Sequence, residues 1–414
     1  MIDIDYIRQH TQEVKDNCAN RKVTVDIDRI LELDQDRRAK IVHIEELRAL
    51  RNQGSKGKPS AEDIEKLRTT GDAITQGEHE LAQIESQYRD LLMQVPNLTH
   101  PASPIGGEDA FVVLQEGGTV PSFAFTPREH EDLLVSAGML DFERATKVSG
   151  SKFFFTQGDL VRLNQALVAY GMDMVAEHGY QLMETPDMAR DEILLGIGFN
   201  PRGPETQIYS IENSDLSLIG TAEITMGGYH AGEILDLSKG PKKYAALSHC
   251  FRTEAGAYGR ESKGLYRVHQ FTKLELFAFC APEDSERIHQ EMKDLECKLA
   301  EGLELAYRVI DIPTGDLGGP AYRKYDVEAW MTMKEGYGEI TSSSNCTDYQ
   351  ARRLNIRYRA QDGKTAFVHT LNGTAVNTSR WPLAIVEQRQ QADGTISIPS
   401  VLRPYMGGRE VMGR

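Results

Sequence analysis

From residue 27 to 52, apolar side chains at Ile30, Leu33, Ile41, Ile44 and Leu47 recur at roughly helical spacing among Glu and Arg, with no Pro or Gly between them. This pattern predicts a long amphipathic helix. The run Asn52-Gln53-Gly54-Ser55-Lys56-Gly57-Lys58-Pro59 then breaks it, and Ser60 with Asp63 has the spacing of a helix cap and its reciprocal acid. Beyond the cap, Ile64, Leu67, Gly71, Ile74, Glu78, Leu81, Glu85, Tyr88 and Leu92 alternate in steps of three and four, a heptad seam. Two such helices joined by a tight turn predict an antiparallel coiled-coil hairpin over about 27–93, an arm about 40 to 50 Å long at a helical rise of about 1.5 Å per residue. Gly71, Glu78 and Glu85 interrupt the apolar seam, which predicts a weakened and flexible contact.

The Pro/Gly-rich stretch from Val95 to Gly107 ends the charged helical pattern. It divides the chain into an N-terminal domain with its linker, 1–110, and a second domain, 111–414. In the latter, short β-branched or aromatic runs (Phe153–Thr156, Tyr244–Cys250, Leu265–Val268, Lys273–Phe279, Ala366–Thr370) alternate irregularly with helical stretches over 159–178, 283–307, 349–357 and 381–391. Irregular alternation without a βαβ period predicts an α+β fold with an antiparallel sheet. Neither GxGxxG nor GxxxxGK[ST] occurs, so a Rossmann or P-loop nucleotide site is not supported.

Charge narrows the partners. The 414 residues carry 62 acidic and 47 basic side chains, a net charge of −15, which argues against an indiscriminate nucleic-acid binder. Five scattered cysteines without a CxxC pair read as reduced thiols, and no residue set suggests zinc. The chain has no apolar run of the about 18 residues that a membrane span needs. Its first residues mix acids and bases unlike a targeting peptide, so a cytoplasmic protein is expected. Glu78-His79-Glu80 and Glu129-His130-Glu131-Asp132 resemble metal-ligand clusters, but solvated helix faces are the expected reading.

The densest chemistry lies in Phe251-Arg252-Thr253-Glu254-Ala255-Gly256 and, after a glycine-rich loop, Leu265-Tyr266-Arg267-Val268-His269-Gln270-Phe271-Thr272-Lys273-Leu274-Glu275. The pattern predicts a β-hairpin in which the planar fork of Arg252 can grip a phosphate and a carboxylate together, and Phe271 can stack on a purine. These segments resemble motif 2 of the seryl-tRNA synthetase family of class II aminoacyl-tRNA synthetases. Further segments follow in that family's order. Ile219-Gly220-Thr221-Ala222-Glu223 resembles its serine-binding TxE loop. Tyr337–Cys346, with Asp348–Arg353, resembles its metal and ATP strand, and Leu371–Thr374 with Arg380 and the helix to Glu387 resembles motif 3. One departure stands out: Ala375-Val376-Asn377-Thr378-Ser379 precedes Arg380 without the glycines often found there, which leaves the local loop shape open.

The resemblance implies a serine–tRNA ligase that joins serine to ATP and passes it to the 3′ end of tRNA(Ser), with tRNA(Sec) as a further candidate. It implies catalytic roles for Arg252, Glu254 and Arg380. It implies serine binding by Thr221, Ala222, Glu223, Arg252, Glu275, Asn372 and Thr374. ATP would be held by Arg252, Thr253, Glu254, Arg267, Val268, Phe271, Glu339, Ile340, Thr341, Ser342 and Arg380, with Mg²⁺ on Glu339 and Ser342. Motif 1, the helix 159–178 and the strand reaching Pro186, implies a homodimer. For tRNA phosphates, Arg37, Arg38, Lys40, Arg48, Arg51, Lys56 and Lys58 on the arm, and Arg352, Arg353, Arg357 and Arg359 near the catalytic residues, are the candidates. Two rival readings remain at this point. A related ligase could load a carrier protein, although such relatives lack the long hairpin. A non-catalytic paralogue would have lost the ATP residues, all of which stand here.

Overall fold

The computed structural model describes residues 1–54, 60–200, 207–255, 264–360 and 362–413. They form two compact units, Met1–Leu98 and Thr99–Arg414.

The first unit comprises α1 (Ile4–Gln9), α2 (Thr11–Asn20), α3 (Ile27–Gly54) and α4 (Ala61–Leu92). Its base is a small apolar core of Ile7 and Val14 against Ile27, Ile30, Leu92 and Val95. Buried Asp34 accepts Arg8 Nε at 2.9 Å and Arg38 Nε at 3.1 Å. The reciprocal cap forms: Asp63 N donates to Ser60 Oγ at 3.2 Å, and Ser60 N to Asp63 Oδ2 at 3.0 Å. Along the seam the close approach falls at Gly77, not Gly71. A Cβ on Gly77 would stand 3.1 Å from Ile44 Cγ1, whereas one on Gly71 would meet nothing. Ile64, placed in the seam by its spacing, is 56% exposed. The polar seam residues Glu78 and Glu85 are partnered across the hairpin, by Arg48 at 2.8 Å and Arg37 at 3.8 Å, and Glu80 beside the seam by Lys40 at 2.7 Å. Lys56 and Lys58 lie outside the described residues.

The second unit is built on an eight-stranded sheet: β1 (Val112–Gly117), β2 (Gln181–Glu184), β3 (Lys242–Phe251), β4 (Gln270–Cys280), β5 (Tyr307–Asp311), β6 (Arg323–Met331), β7 (Gly336–Asn345) and β8 (His369–Asn377). Their order is β1-β5-β6-β7-β8-β4-β3-β2, antiparallel throughout except for the β2–β3 pair. Side chains alternate between the faces with a period of two. Leu274, Leu276 and Ala278 of β4 therefore join a core with α6 (Asp159–Glu177), α8 (Ser285–Gly302) and α10 (Arg380–Arg389). Phe277 and Phe279 point the other way, to Ile219, α7 (Ala222–Gly228) and α9 (Tyr349–Leu354). The helix α5 (His130–Ser136) packs against α10.

Three expected elements end differently. Leu265–Val268 is a turn, not a strand, because Leu265 and Val268 are drawn into the interior and Gly264 has a φ of +58°. The helix expected over 283–307 stops at Gly302, before Glu304 at φ +57° and strand β5; the one over 349–357 stops at Leu354, before Asn355 at φ +53°. Residues 99–110 pack with the second unit, where Thr314 N donates to Pro104 O and Gly315 N to Gly106 O, both at 2.8 Å.

All five cysteines are free and buried. No helix among the described residues is long and apolar enough to cross a membrane. Gly118 turns the chain out of β1 at φ +69°, where a Cβ would come 2.2 Å from the Leu305 carbonyl oxygen. Gly118→Ala is therefore expected to destabilise the second unit by about 2 kcal/mol or more. Equilibrium urea unfolding checks this; an unchanged midpoint would contradict the close approach.

Candidate active site

A cavity of about 490 Å³ opens on the sheet face that carries Phe277. Strand alternation builds its floor. Phe271, Lys273 and Glu275 of β4, Asn372 and Thr374 of β8, and Ser342 and Ser344 of β7 all present to it, while Ser343 and Gly373 between them turn away.

At one wall, Arg252 Nε donates to Gly220 O at 3.2 Å, and the guanidinium lies 5.2 Å from the centre of the Phe271 ring. Among the described residues it has no carboxylate partner. Arg252 N also donates to His269 O at 2.9 Å, which holds the two sides of the hairpin together. Glu254 sits at φ +49° and pairs with Arg267 at 3.2 Å. Across the cavity, Arg380 pairs with the Glu339 carboxylate at 3.0 Å, donates to Glu339 O at 3.2 Å and covers the Tyr266 ring at 4.8 Å. Burial pushes the Glu339 carboxyl up, but Arg380 and Lys324 outweigh it and hold it down at about 2. Lys324 pairs with Asp326 at 2.9 Å, and Asp326 lies in register with Ser342.

The other end is small and polar. Thr221 Oγ1 accepts Glu223 N at 3.2 Å and caps α7. The Glu223 carboxylate accepts Gln350 Nε2 at 2.8 Å and Asn372 Nδ2 at 3.0 Å, both from neutral amides. Burial, reinforced by the charge of Glu275, pushes Glu223 up to about 7. Glu275 differs: Lys273 pairs with it at 2.5 Å, and Thr374 Oγ1 donates to it at 3.4 Å.

The loop shape left open before Arg380 is set by Asn377. Its Oδ1 accepts Ser379 N at 3.3 Å and Arg380 N at 2.8 Å, and its Nδ2 donates to Ile340 O at 2.7 Å. The side chain does what glycine freedom would otherwise do, by folding the backbone around an acceptor.

Of the residues expected at the site, all line the cavity except Ala222, Thr253 and Arg267. Ala222 is fully buried in the first turn of α7, and Arg267 acts on the cavity through Glu254. Tyr266, Lys273, Lys324 and Asn377 line it without having been singled out, and Gln350 supports Glu223 from behind. Only Asn377 left a signal in the sequence, as the polar residue in a glycine's place. Cys346, read from the sequence as a reduced thiol, is on the cavity wall, 3.7 Å from Asn372 Nδ2. Arg352, Arg353, Arg357 and Arg359 do not line it; Arg352 pairs with Asp348 at 2.7 Å, and Arg353 donates to Leu195 O at 3.0 Å.

Residues 1–99 match the seryl-tRNA synthetase N-terminal domain, and residues 208–389 match the tRNA synthetase class II core domain (G, H, P, S and T). The serine–tRNA ligase of Rubrobacter xylanophilus is 49% identical over 100% of this chain and 99% of its own. The chain belongs to the seryl-tRNA synthetase family. The serine–tRNA ligase of Treponema denticola is also 49% identical, over 98% of this chain and 99% of its own. Among solved structures, the seryl-tRNA synthetase from Pyrococcus horikoshii complexed with ATP superposes with a TM-score of 0.91 at 38% identity, covering 99% of each chain. As a serine–tRNA ligase, this family member uses ATP and serine to aminoacylate tRNA(Ser). The carrier-protein reading falls with the match of its N-terminal domain.

Proposed function

We propose the following division of labour within the cavity. Serine enters the small polar end. Among the described residues Glu223 is hydrogen-bonded only by neutral amides, so it takes the serine ammonium; Glu275 and Thr374 take the hydroxyl. A pocket whose own polar groups are paired by that hydroxyl rejects alanine, which would leave them bare. Arg252 bridges the serine carboxylate and the α-phosphate of ATP. Phe271 and Arg380 sandwich the adenine, while Glu254 and the backbone at Val268 hold its edge. Arg380 also reaches the terminal phosphate.

Serine carboxylate attacks the α-phosphate, pyrophosphate leaves, and a ribose hydroxyl at the tRNA 3′ end then takes the seryl group from the adenylate. No side chain here becomes covalently attached. The acceleration comes from positioning two anions against each other and from stabilising charge on the phosphorus oxygens. Glu339, already ionised, and Ser342 are hard oxygen donors, the donor type Mg²⁺ takes, and would hold a Mg²⁺ that neutralises phosphate charge. The observation that carries the reading is the convergence of Arg252, Phe271, Glu339 and Arg380 on one cavity with the Glu223 cluster at its end.

The same reading gives the chain a homodimer through 159–186, a cytoplasmic location, and tRNA(Sec) as a second substrate. Residues 1–98 are the tRNA-binding domain, 99–110 its linker packed on the second unit, and 111–414 the catalytic domain. Serine-dependent pyrophosphate exchange with Mg·ATP tests the core of it, and absence of exchange would refute it.

The Glu223 environment gives a pH dependence. Its raised pKa means that the empty site holds a proton there below about 7. The serine ammonium binds the ionised form, so binding must expel that proton. The KM for serine is expected to fall as pH rises, by up to about tenfold per unit below the pKa, and to level off above it. Glu223→Gln should flatten the profile at a high KM; a persisting slope would assign the proton elsewhere.

A further inference from the structure

We infer that His130, outside the cavity, is a positioning residue that holds the Leu265 amide at the end of the hairpin loop against α5, which packs on α10, and so seats the Arg380 end of the ATP site. Its sequence context beside three acids predicts a solvated helix face for His130. It is instead 4% exposed, and its partner Glu387 on α10 is 3% exposed. His130 Nδ1 lies 2.8 Å from Glu387 Oε1, and Leu265 N donates to His130 Nε2 at 3.2 Å. A backbone amide can only donate, so Nε2 is the acceptor and the ring proton sits on Nδ1, pointing at Glu387. Glu387 Oε2 accepts Met333 N at 3.2 Å, and Glu387 O accepts Thr332 Oγ1 at 3.1 Å. Glu129, His130 and Glu387 form the one three-residue grouping with metal-ligand spacing among the described residues. Both ring nitrogens and the Glu387 oxygens are already committed, so the cluster serves as a joint and not as a metal site.

What the joint holds is close to the chemistry. Leu265 is 1% exposed, and the next residue, Tyr266, lies under the Arg380 guanidinium with its hydroxyl packed near Gly338. Met333 and Thr332 form the turn between β6 and β7, the strand that carries Glu339. His130 bonds the segment of Tyr266 directly and, through Glu387, joins it to α10 with Arg380 and to the turn leading to Glu339. Gly264 completes the fit, because a Cβ there would stand 2.1 Å from His130 Nε2.

The inference rests on the proposed ATP role of Arg380, and the test separates the two. His130→Gln places an amide oxygen near the Nε2 position and keeps an acceptor for Leu265 N; His130→Asn keeps a donor for Glu387 and loses that acceptor. Pyrophosphate exchange and thermal unfolding would be measured on both full-length variants. The expected result is a rise of about tenfold in the KM for ATP in the Asn variant, with the Gln variant within about threefold of the parent, at comparable losses of thermal stability. Equal KM changes in the two, no change in either, or the reverse order would overturn the anchor. Should the variants not fold, Gly264→Ala, which displaces the ring, must raise the KM for ATP; an unchanged value overturns the anchor as well. Serine-dependent exchange by the parent protein stands or falls independently of these outcomes.

Discussion

Arg252→Ala is expected to lower serine-dependent pyrophosphate exchange by about three orders of magnitude or more while leaving thermal stability close to that of the parent. Among the described residues the guanidinium makes one hydrogen bond, to Gly220 O, and stacks on Phe271. Removing it strands no buried carboxylate among the described residues, so the fold loses little. The transition state, by contrast, loses the group that neutralises charge on both reactants at once. Arg252→Lys should recover little of the loss, because an ammonium cannot serve two oxyanions with a planar fork. The decisive comparison is kcat/KM for exchange beside the melting curve. An exchange rate within tenfold of the parent would remove Arg252 from the centre of the reaction.

Shortening the arm should have the opposite signature. Deleting all of 27–93 would take Ile27, Ile30 and Leu92 out of the base core and unfold α1 and α2 with it. The Arg37–Glu85 pair at 3.8 Å brings the two helices side by side, so excising 39–83 and bridging the ends with a short turn spares that core. The excised protein is expected to exchange pyrophosphate at the parental rate and to lose tRNA(Ser) charging by about two orders of magnitude or more, as phosphate and shape contacts go. Normal charging would show that the arm has no part in tRNA recognition. Arg37, Lys40 and Arg48 each face a glutamate of α4, so on the proposed role of the arm tRNA phosphates would meet these side chains already engaged. Such exposed pairs are worth little, so phosphates can exchange for them at small cost.

The legible parts of this chain were those with a local cause. Heptad spacing placed the hairpin, Ser60 with Asp63 placed the start of α4, and the motif segments placed most of the cavity wall. What escaped had a non-local cause. Gly77 meets Ile44 because of how the helices cross, which a heptad count does not contain. Leu265 is apolar and reads as a strand, yet a histidine 135 positions earlier holds its amide. Lys324 reads as an ordinary strand lysine until β6 lies beside β7 and brings it to the charge of Glu339. The acid-rich surroundings of His130 pointed to solvent, whereas pairing with Glu387 lets that imidazole be buried.

The burial of all five thiols gives the native protein a chemically quiet surface. Burial also raises the pKa of Cys18, Cys250, Cys280 and Cys297, which keeps them in the unreactive thiol form. A Leu50→Cys variant, at a position 60% exposed on α3, would therefore present one fast-reacting sulfur on an otherwise silent background. A fluorophore attached there would give the arm its own optical reporter for tRNA arrival without removing any native cysteine.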